Sequence, residues 1–141
     1  MAKSGPIIII EDDPDDHEMI ERILLKLNVE NPIKKFMDGE SALQYLQSTS
    51  DDPFVIICDI NMPIMNGLQL KESIDTDKRL RVKSIPFVFL STTANPQQVK
   101  QAYHYSVQGF FLKGQSYEAL KNSLHQIVSY WQHCVHPNNL T

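Results

Sequence analysis

The sequence predicts an α/β domain in which helices cover both faces of a parallel β-sheet. Four short apolar runs are nearly continuous rather than alternating, as is typical of strands buried on both faces. Segments with apolar residues at helical spacing separate these runs. Strand and helix patterns alternate five times, so we expect five strand–helix repeats joined by right-handed crossovers.

Five strands are predicted from the apolar runs. The four strong runs are residues 7–10, 54–58, 87–90 and 110–112. A weaker strand is predicted at 33–37, where two lysines indicate a less buried position.

Five helices are predicted from apolar residues spaced three and four apart. Asp13 before Pro14 and Asn95 before Pro96 are typical of a helix cap followed by a first helical residue. The stripes are Ile20, Ile23, Leu24 and Leu27; Ala42, Tyr45 and Leu46; Leu70 and Ile74; Val99, Ala102 and Tyr103; and Leu120, Leu124, Ile127, Val128 and Trp131.

Length and composition favour one domain over residues 1–141, with a core at about 6–132 and a tail at 133–141 whose last six residues are frayed. A net charge of −4 gives no electrostatic footprint for nucleic acid. Two distant cysteines indicate a reducing compartment, and the N-terminal apolar block is too short for a signal peptide or a membrane span. We therefore expect a cytoplasmic protein.

Polar side chains follow four of the predicted strands. Carboxyl ends of parallel strands share one edge of the sheet, and ligands bind there. The residues expected at this edge are Glu11, Asp12 and Asp13 after the first strand, Asp59 after the third, Ser91 and Thr92 after the fourth, and Lys113 after the fifth.

The acids also have a purely structural explanation, except at one position. Asp13 can cap the helix that Pro14 begins, and the next two acids suit the positive end of the helix dipole. Asp12 is not explained in this way and is expected close to Asp59. Crowded carboxylates repel one another, and Mg²⁺ removes that repulsion.

Single-residue alternatives exist for the other strand ends. Asp59 can start a turn, Ser91 can bond the local backbone, and Lys113 can close an edge strand. Because all of these residues fall on strand ends of one sheet, the set favours a site for phosphate and metal.

The motifs that carry a resemblance are the pair Asp12-Asp13, "ICDINMPIMNG" around Asp59, "FVFLST" with Ser91, and "GFFLK" ending at Lys113. With them, residues 7 to about 131 resemble a response-regulator receiver domain of two-component signalling. The resemblance implies a five-stranded parallel sheet, doubly wound and flavodoxin-like, with strand order 2-1-3-4-5.

The resemblance also implies roles for the site residues. Asp59 would accept a phosphoryl group from a sensor histidine kinase or a phosphotransfer protein, without enzyme activity beyond slow self-dephosphorylation tuned by Asn61 and Thr93. The remaining implied roles are Mg²⁺ ligands at Asp12, Asp13, Asp59 and the backbone carbonyl of Asn61, and phosphoryl contacts at Ser91 and Lys113.

A switch is implied through Ser91 and Phe110, although Phe110 also fits as a plain core aromatic. The switch would reshape the surface of the fourth helix, fifth strand and fifth helix, where an unknown output partner or a homodimer would bind. That surface carries Tyr103, His104, Tyr105 and Tyr117. Neither a nucleic-acid target nor a membrane is expected as a direct partner.

The sequence departs from the family pattern at three places. Gly114 follows Lys113 where the family usually has a proline in a cis bond, so a trans bond is expected. Thr92 replaces a smaller residue and would narrow access to the site. The segment at 75–86 is longer and more basic than is typical of the family, and a solvated helix end is favoured over a docking patch as its explanation. With the aromatic pair Tyr130 and Trp131 and the tail beyond it, the chain resembles stand-alone receivers of the bacterial phytochrome-associated kind.

Four other functions fit parts of the sequence. A haloacid-dehalogenase-type phosphatase has a second acid two residues after the nucleophile, where this chain has Asn61. A flavodoxin-like flavin carrier has a phosphate-binding loop after the first strand, where the acids of this chain would repel a phosphate. A degenerate receiver that binds partners without phosphorylation stays open because of Gly114. Zinc at His133, Cys134 and His136 has neither the spacing of a standard finger nor a fourth ligand.

Overall fold

The computed structural model describes residues 2–138, and all five predicted strands form one parallel sheet. The strands are β1 (Ile7–Ile10), β2 (Ile33–Phe36), β3 (Val55–Cys58), β4 (Phe87–Ser91) and β5 (Gly109–Leu112). Their order in the sheet is β2-β1-β3-β4-β5, which confirms the expected doubly wound α/β fold.

Six α-helices occur within residues 2–138, one more than predicted, together with a 3₁₀ turn at Ala2–Ser4. The extra helix lies in the basic segment that was interpreted as a solvated helix end. The Asp77 side chain caps it, and Leu80 anchors it in the core. The helices are α1 (Pro14–Lys26), α2 (Gly39–Ser48), α3 (Gly67–Thr76), α4 (Lys78–Lys83), α5 (Pro96–His104) and α6 (Tyr117–His133).

The core lies in two layers, one on each face of the sheet, which explains four consecutive isoleucines in β1. Ile8 and Ile10 join the layer that includes Phe87 and Phe89. Ile7 and Ile9 face the opposite layer, to which α1 and α6 contribute. Side chains alternate across a strand, so a strand covered on both faces needs apolar residues at every position.

The helical stripes are mostly confirmed, because their central residues are buried against the sheet. Asp13 and Asn95 cap α1 and α5 as predicted, each followed by proline in the first turn. Tyr103 is the exception among the stripe residues: its side chain is 53% exposed, so α5 contacts the core mainly through Ala102.

The chain beyond α6 packs back onto the domain. His136 is 0% exposed, its Nε2 lies 2.8 Å from the Phe54 carbonyl oxygen, and its Nδ1 accepts from the Asn138 backbone N–H at 3.1 Å. Burial lowers the pKa of His136. The predicted fraying is therefore wrong for residues 136–138, while residues 139–141 lie outside the described residues.

None of the helices within residues 2–138 combines the length and apolar character needed to cross a membrane.

Candidate functional site

Strand register brings the polar strand ends together. Ile10 is paired with Cys58, so Glu11 and Asp59 emerge side by side, and the Asp59 backbone N–H donates to the Ile10 carbonyl at 3.0 Å. At the next pair of strands, the Lys113 N–H donates to the Ser91 carbonyl at 2.8 Å. In-register parallel strands therefore place these residues at one edge of the sheet, as predicted.

Three carboxylates meet at this edge. Glu11, Asp12 and Asp59 each offer one oxygen, and these oxygens lie within 4.8 Å of one another. The expected proximity of Asp12 and Asp59 is thus present. Hard oxygen ligands at this separation fit Mg²⁺, which is bound in proteins by one or two carboxylates together with waters and phosphate oxygens.

Asp13, which the sequence predicts as a metal ligand beside Asp12, lies outside the carboxylate cluster. Its Oδ1 accepts from the Asp15 N–H at 2.9 Å and from the Asp16 N–H at 3.3 Å, so its carboxylate caps α1. Glu11 occupies the position in the cluster that was assigned to Asp13. The signal was present in the sequence, because Pro14 fixes Asp13 as the cap and leaves Glu11 and Asp12 directly after the strand.

Lys113 supplies a positive charge to the cluster. Its ammonium forms a short hydrogen bond with Glu11 Oε1, lies 3.0 Å from Asp16 Oδ2 and lies 3.7 Å from Asp59 Oδ2. Burial lowers the pKa of Lys113, but the hydrogen bonds and charges of these carboxylates outweigh it and raise the pKa. The described chain has no cis peptide bond, so the bond to Gly114 is trans, as expected.

Burial also perturbs the acids. Desolvation raises the pKa of Glu11 to about 7, although the Lys113 hydrogen bond opposes it. Desolvation likewise raises the pKa of Asp59, which the Lys113 charge and the Ile60 backbone N–H partly offset. Burial thus disfavours the charged forms of Glu11 and Asp59, and a bound cation would stabilise these charged forms.

This perturbation predicts a pH-dependent stability. The pKa of Glu11 is about 7 in the folded protein against 4.5 for the ordinary carboxyl, so folding is favoured below pH 4.5 and the advantage disappears as pH rises through 7. In metal-free buffer the free energy of unfolding, measured by urea titration, should fall relative to Glu11→Gln by up to about 3 kcal/mol between pH 4.5 and 8. Parallel pH profiles of the two proteins would contradict the assignment.

The remaining predicted site residues surround the cluster. Ser91 is fully buried at the end of β4, and its Oγ accepts from the Thr93 N–H at 3.5 Å. Asn61 follows Asp59 by two residues, and its Oδ1 accepts from Gln98 at 3.1 Å. Thr92 is exposed.

The loop after Asp59 is held by Gly67 at the start of α3. Its N–H donates to the Ile60 carbonyl at 2.8 Å, and a Cβ added at Gly67 would lie 2.3 Å from the Asp59 carbonyl oxygen. Glycine at the end of "DINMPIMNG" therefore lets the helix approach the Asp59 backbone. In the same loop Ile64 is 96% exposed with φ of 69°, which is uncommon for a β-branched residue.

Phe110 is partly buried and packs against the core layer that contains Phe89, with ring centroids 6.1 Å apart. This position fits both the predicted switch and the plain core aromatic. On the neighbouring surface Tyr103 is exposed, but the Tyr105 hydroxyl donates to Glu72 at 3.1 Å. The Tyr105 hydroxyl is thus already hydrogen-bonded within the domain.

Two of the three residues considered as zinc ligands have other partners in the structure. His136 is engaged by Phe54 and Asn138, and His133 Nδ1 lies 2.7 Å from the Ser129 carbonyl oxygen. Within residues 2–138, the carboxylates of Glu11, Asp12 and Asp59 are the one group whose ligand atoms converge.

Comparison with known proteins identifies the family to which the chain belongs. The model of the response regulator receiver domain matches residues 7–125. The chain is 30% identical to the probable methanogenesis regulatory protein FilR2 of Methanothrix harundinacea, over 92% of this chain and 86% of that protein. It is 26% identical to response regulator Rcp1 of Synechocystis, over 89% of this chain and 87% of that protein.

Solved structures show the same architecture. The phosphorylated cyanobacterial phytochrome response regulator RcpA superposes with a TM-score of 0.82 at 26% identity, covering 91% of this chain and 94% of that chain. From the matched residues and the shared fold, this chain belongs to the response regulator receiver domain family.

Proposed function

We propose that this protein is a phospho-accepting response regulator in which Asp59 receives a phosphoryl group from the phosphohistidine of a sensor histidine kinase or a phosphotransfer protein. One observation carries the proposal: the Asp59 carboxylate lies beside two other carboxylates, and its Oδ2 is 3.7 Å from the Lys113 ammonium. Phosphoryl transfer depends mainly on positioning and charge neutralisation, and this arrangement offers both.

In the proposed reaction, a carboxylate oxygen of Asp59 forms a bond to phosphorus as the bond from phosphorus to the donor imidazole nitrogen breaks. The electron pair stays on that nitrogen, which then takes a proton from water. The product is an acyl phosphate, which water hydrolyses slowly. Lys113 and the Ser91 hydroxyl would contact the phosphoryl oxygens, since both lie at the same sheet edge.

The carboxylates of Glu11, Asp12 and Asp59, with the Asn61 backbone carbonyl, would hold Mg²⁺. Glu11 replaces Asp13 in this proposal because the Asp13 carboxylate caps α1. When bound, Mg²⁺ would neutralise the charge that gathers on the phosphoryl oxygens. The fit rests on the type and spacing of the donors, three oxygens within 4.8 Å.

Phosphorylation would act on the surface of α5, β5 and α6. A phosphoryl group adds about −1.5 to −2 charge beside Ser91, and its pull on that residue would allow Phe110 to repack. An output partner or a second copy of the chain would bind the reshaped surface, with no direct nucleic-acid or membrane target. We propose one receiver domain over 1–141, acting in the cytoplasm, where Cys58 and Cys134 stay free thiols.

The proposal predicts that Mg²⁺ and acetyl phosphate add one phosphoryl group to the wild-type chain and none to Asp59→Asn. Intact-protein mass spectrometry measures the added mass. The substitution removes the carboxylate oxygen that would bond to phosphorus, and the two remaining acids are assigned to the metal, so we expect complete loss of labelling. Equal labelling of Asp59→Asn would refute the assignment, and no labelling of either protein would favour the degenerate receiver.

Two matched variants test the metal ligands in the same assay. Asp13→Asn keeps a good helix cap and should leave the Mg²⁺ dependence of labelling unchanged. Asp12→Asn removes a carboxylate from the cluster and should raise the Mg²⁺ concentration that labelling requires. If Asp13→Asn raised the Mg²⁺ concentration that labelling requires and Asp12→Asn did not, Asp13 would be a ligand in place of Asp12.

A further inference from the structure

A fourth acid contacts the site without belonging to the carboxylate cluster. Asp16 lies in the first turn of α1, and its Oδ2 is 3.0 Å from Lys113 Nζ. The cluster with converging ligand oxygens comprises Glu11, Asp12 and Asp59. Asp16 therefore touches the site only through the lysine, and this contact needs its own explanation.

We propose that Asp16 is a positioning residue that holds Lys113 away from the phosphoryl group and so limits the rate at which Asp59 is phosphorylated. The inference rests on the proposed function of Asp59 as the phospho-acceptor. It concerns a competition between two anions, the Asp16 carboxylate and the incoming phosphoryl group, for one ammonium.

Two of the three hydrogen-bond donors of Lys113 are already used. An ammonium has three N–H groups. Two point to Glu11 and Asp16 at hydrogen-bonding distance, while Asp59 Oδ2, at 3.7 Å, is beyond that distance. The third N–H group is available for a phosphoryl oxygen on Asp59, but Lys113 has to move toward Asp59 to donate it, and that movement weakens the contact with Asp16.

The hydrogen bonds of Lys113 to Glu11 and to Asp16 differ in how easily they break. Glu11 is 1% exposed, so water does not replace Lys113 there, but a cation in the cluster would compensate its charge. The Asp16 side chain is 37% exposed and lies outside that cluster, so its attraction for Lys113 persists when the cation is bound. Asp16 is therefore the competitor that remains at the moment of transfer.

The chain offers a matched control in Asp15, the preceding acid in the same helical turn. Both acids lie in the first turn of α1, and both backbone N–H groups donate to the Asp13 cap. Replacing either acid by asparagine removes one negative charge and the same favourable interaction with the helix dipole. A loss of thermal stability is thus expected of both variants and does not distinguish them.

The test measures initial rates of labelling by acetyl phosphate at saturating Mg²⁺ for wild type, Asp16→Asn, Asp15→Asn and Asp16→Glu. The Asp59 oxygen bonds to phosphorus, and acetate leaves with the electron pair. We expect about a fivefold increase for Asp16→Asn, the scale of a partly exposed ion pair. Asp15→Asn should stay within about twofold of wild type, and Asp16→Glu, which keeps the carboxylate, should resemble wild type.

The rates are measured over a range of acetyl phosphate concentrations, because a freed lysine should lower the half-saturating concentration, whereas a merely structural change in α1 should not. A second readout does not depend on labelling: calorimetric titration with Mg²⁺ alone should give similar affinities for Asp16→Asn and Asp15→Asn, because neither acid is a ligand. A weaker affinity only in Asp16→Asn would make Asp16 part of the metal site and overturn the inference.

The outcomes separate this inference from the proposed function. Labelling of wild type but not of Asp59→Asn, with equal rates for Asp16→Asn and Asp15→Asn, overturns the role of Asp16 alone. Absence of labelling in wild type overturns both proposals. Slower labelling of Asp16→Asn than of Asp15→Asn would mean that Asp16 assists Lys113, which also contradicts the inference.

Discussion

Replacing Lys113 by methionine should destabilise the protein by about 3–5 kcal/mol at pH 8, because it leaves a buried carboxylate without its partner. Glu11 is 1% exposed, and its carboxylate accepts a hydrogen bond from the Lys113 ammonium. Methionine keeps the length and apolar stem of lysine but carries no charge. At pH 6 the loss should be smaller, since burial already raises the pKa of Glu11 to about 7 and the acid can take up a proton.

Urea unfolding at both pH values in metal-free buffer measures this effect. The control is the double variant Lys113→Met with Glu11→Gln, which removes both charges and should recover most of the stability lost at pH 8. A loss that is equal at pH 6 and pH 8, or that the second substitution does not recover, would show that Glu11 is not the residue that Lys113 stabilises.

Replacing Gly67 by alanine is expected to cost about 3 kcal/mol of unfolding free energy, enough to lower the melting temperature by about 10 °C. The added Cβ would lie 2.3 Å from the Asp59 carbonyl oxygen and 2.7 Å from a ring carbon of Phe89. Neither atom is the end of a flexible side chain, so α3 or the Asp59 backbone has to shift. Displacing Asp59 should also slow its labelling by acetyl phosphate.

Gly39→Ala is the matched control, since Gly39 also begins a helix. There the nearest atoms belong to Met65, and two of the three, at 3.2 Å, lie in its flexible side chain. Scanning calorimetry should find Gly39→Ala within about 1 kcal/mol of wild type, because alanine favours the helix and offsets part of the crowding. Equal melting temperatures for the two variants would contradict the proposed close contact at Gly67.

Much of the fold was predictable because the sheet is covered on both faces. A strand in that position needs apolar residues throughout, so its location is visible as an uninterrupted run such as Ile7–Ile10. The caps were also predictable, since Asp13 and Asn95 are each followed by proline. Both signals are local, and each depends only on neighbours in the chain.

The prediction was wrong where local signals were weak or in competition. Helix α4 has a single buried anchor, Leu80, in a basic segment, too little for an apolar stripe. His136 was assigned to a frayed tail because its partner, the Phe54 carbonyl, is 82 residues away in the chain. Asp13 was predicted both as a cap and as a ligand; the structure shows the cap, and the carboxylate cluster contains Glu11 instead.

The sequence by itself determined that this protein is an α/β domain with acids, a serine and a lysine at the ends of its strands, because each apolar run is followed directly in the chain by its polar residue. Only the tertiary structure decided which acids meet. The register of β1 against β3 places Glu11 beside Asp59, and the α1 N-terminus takes the Asp13 carboxylate. It also brought Asp16 to Lys113, 97 residues away, a contact that depends on how α1 packs in the folded domain and not on either segment alone.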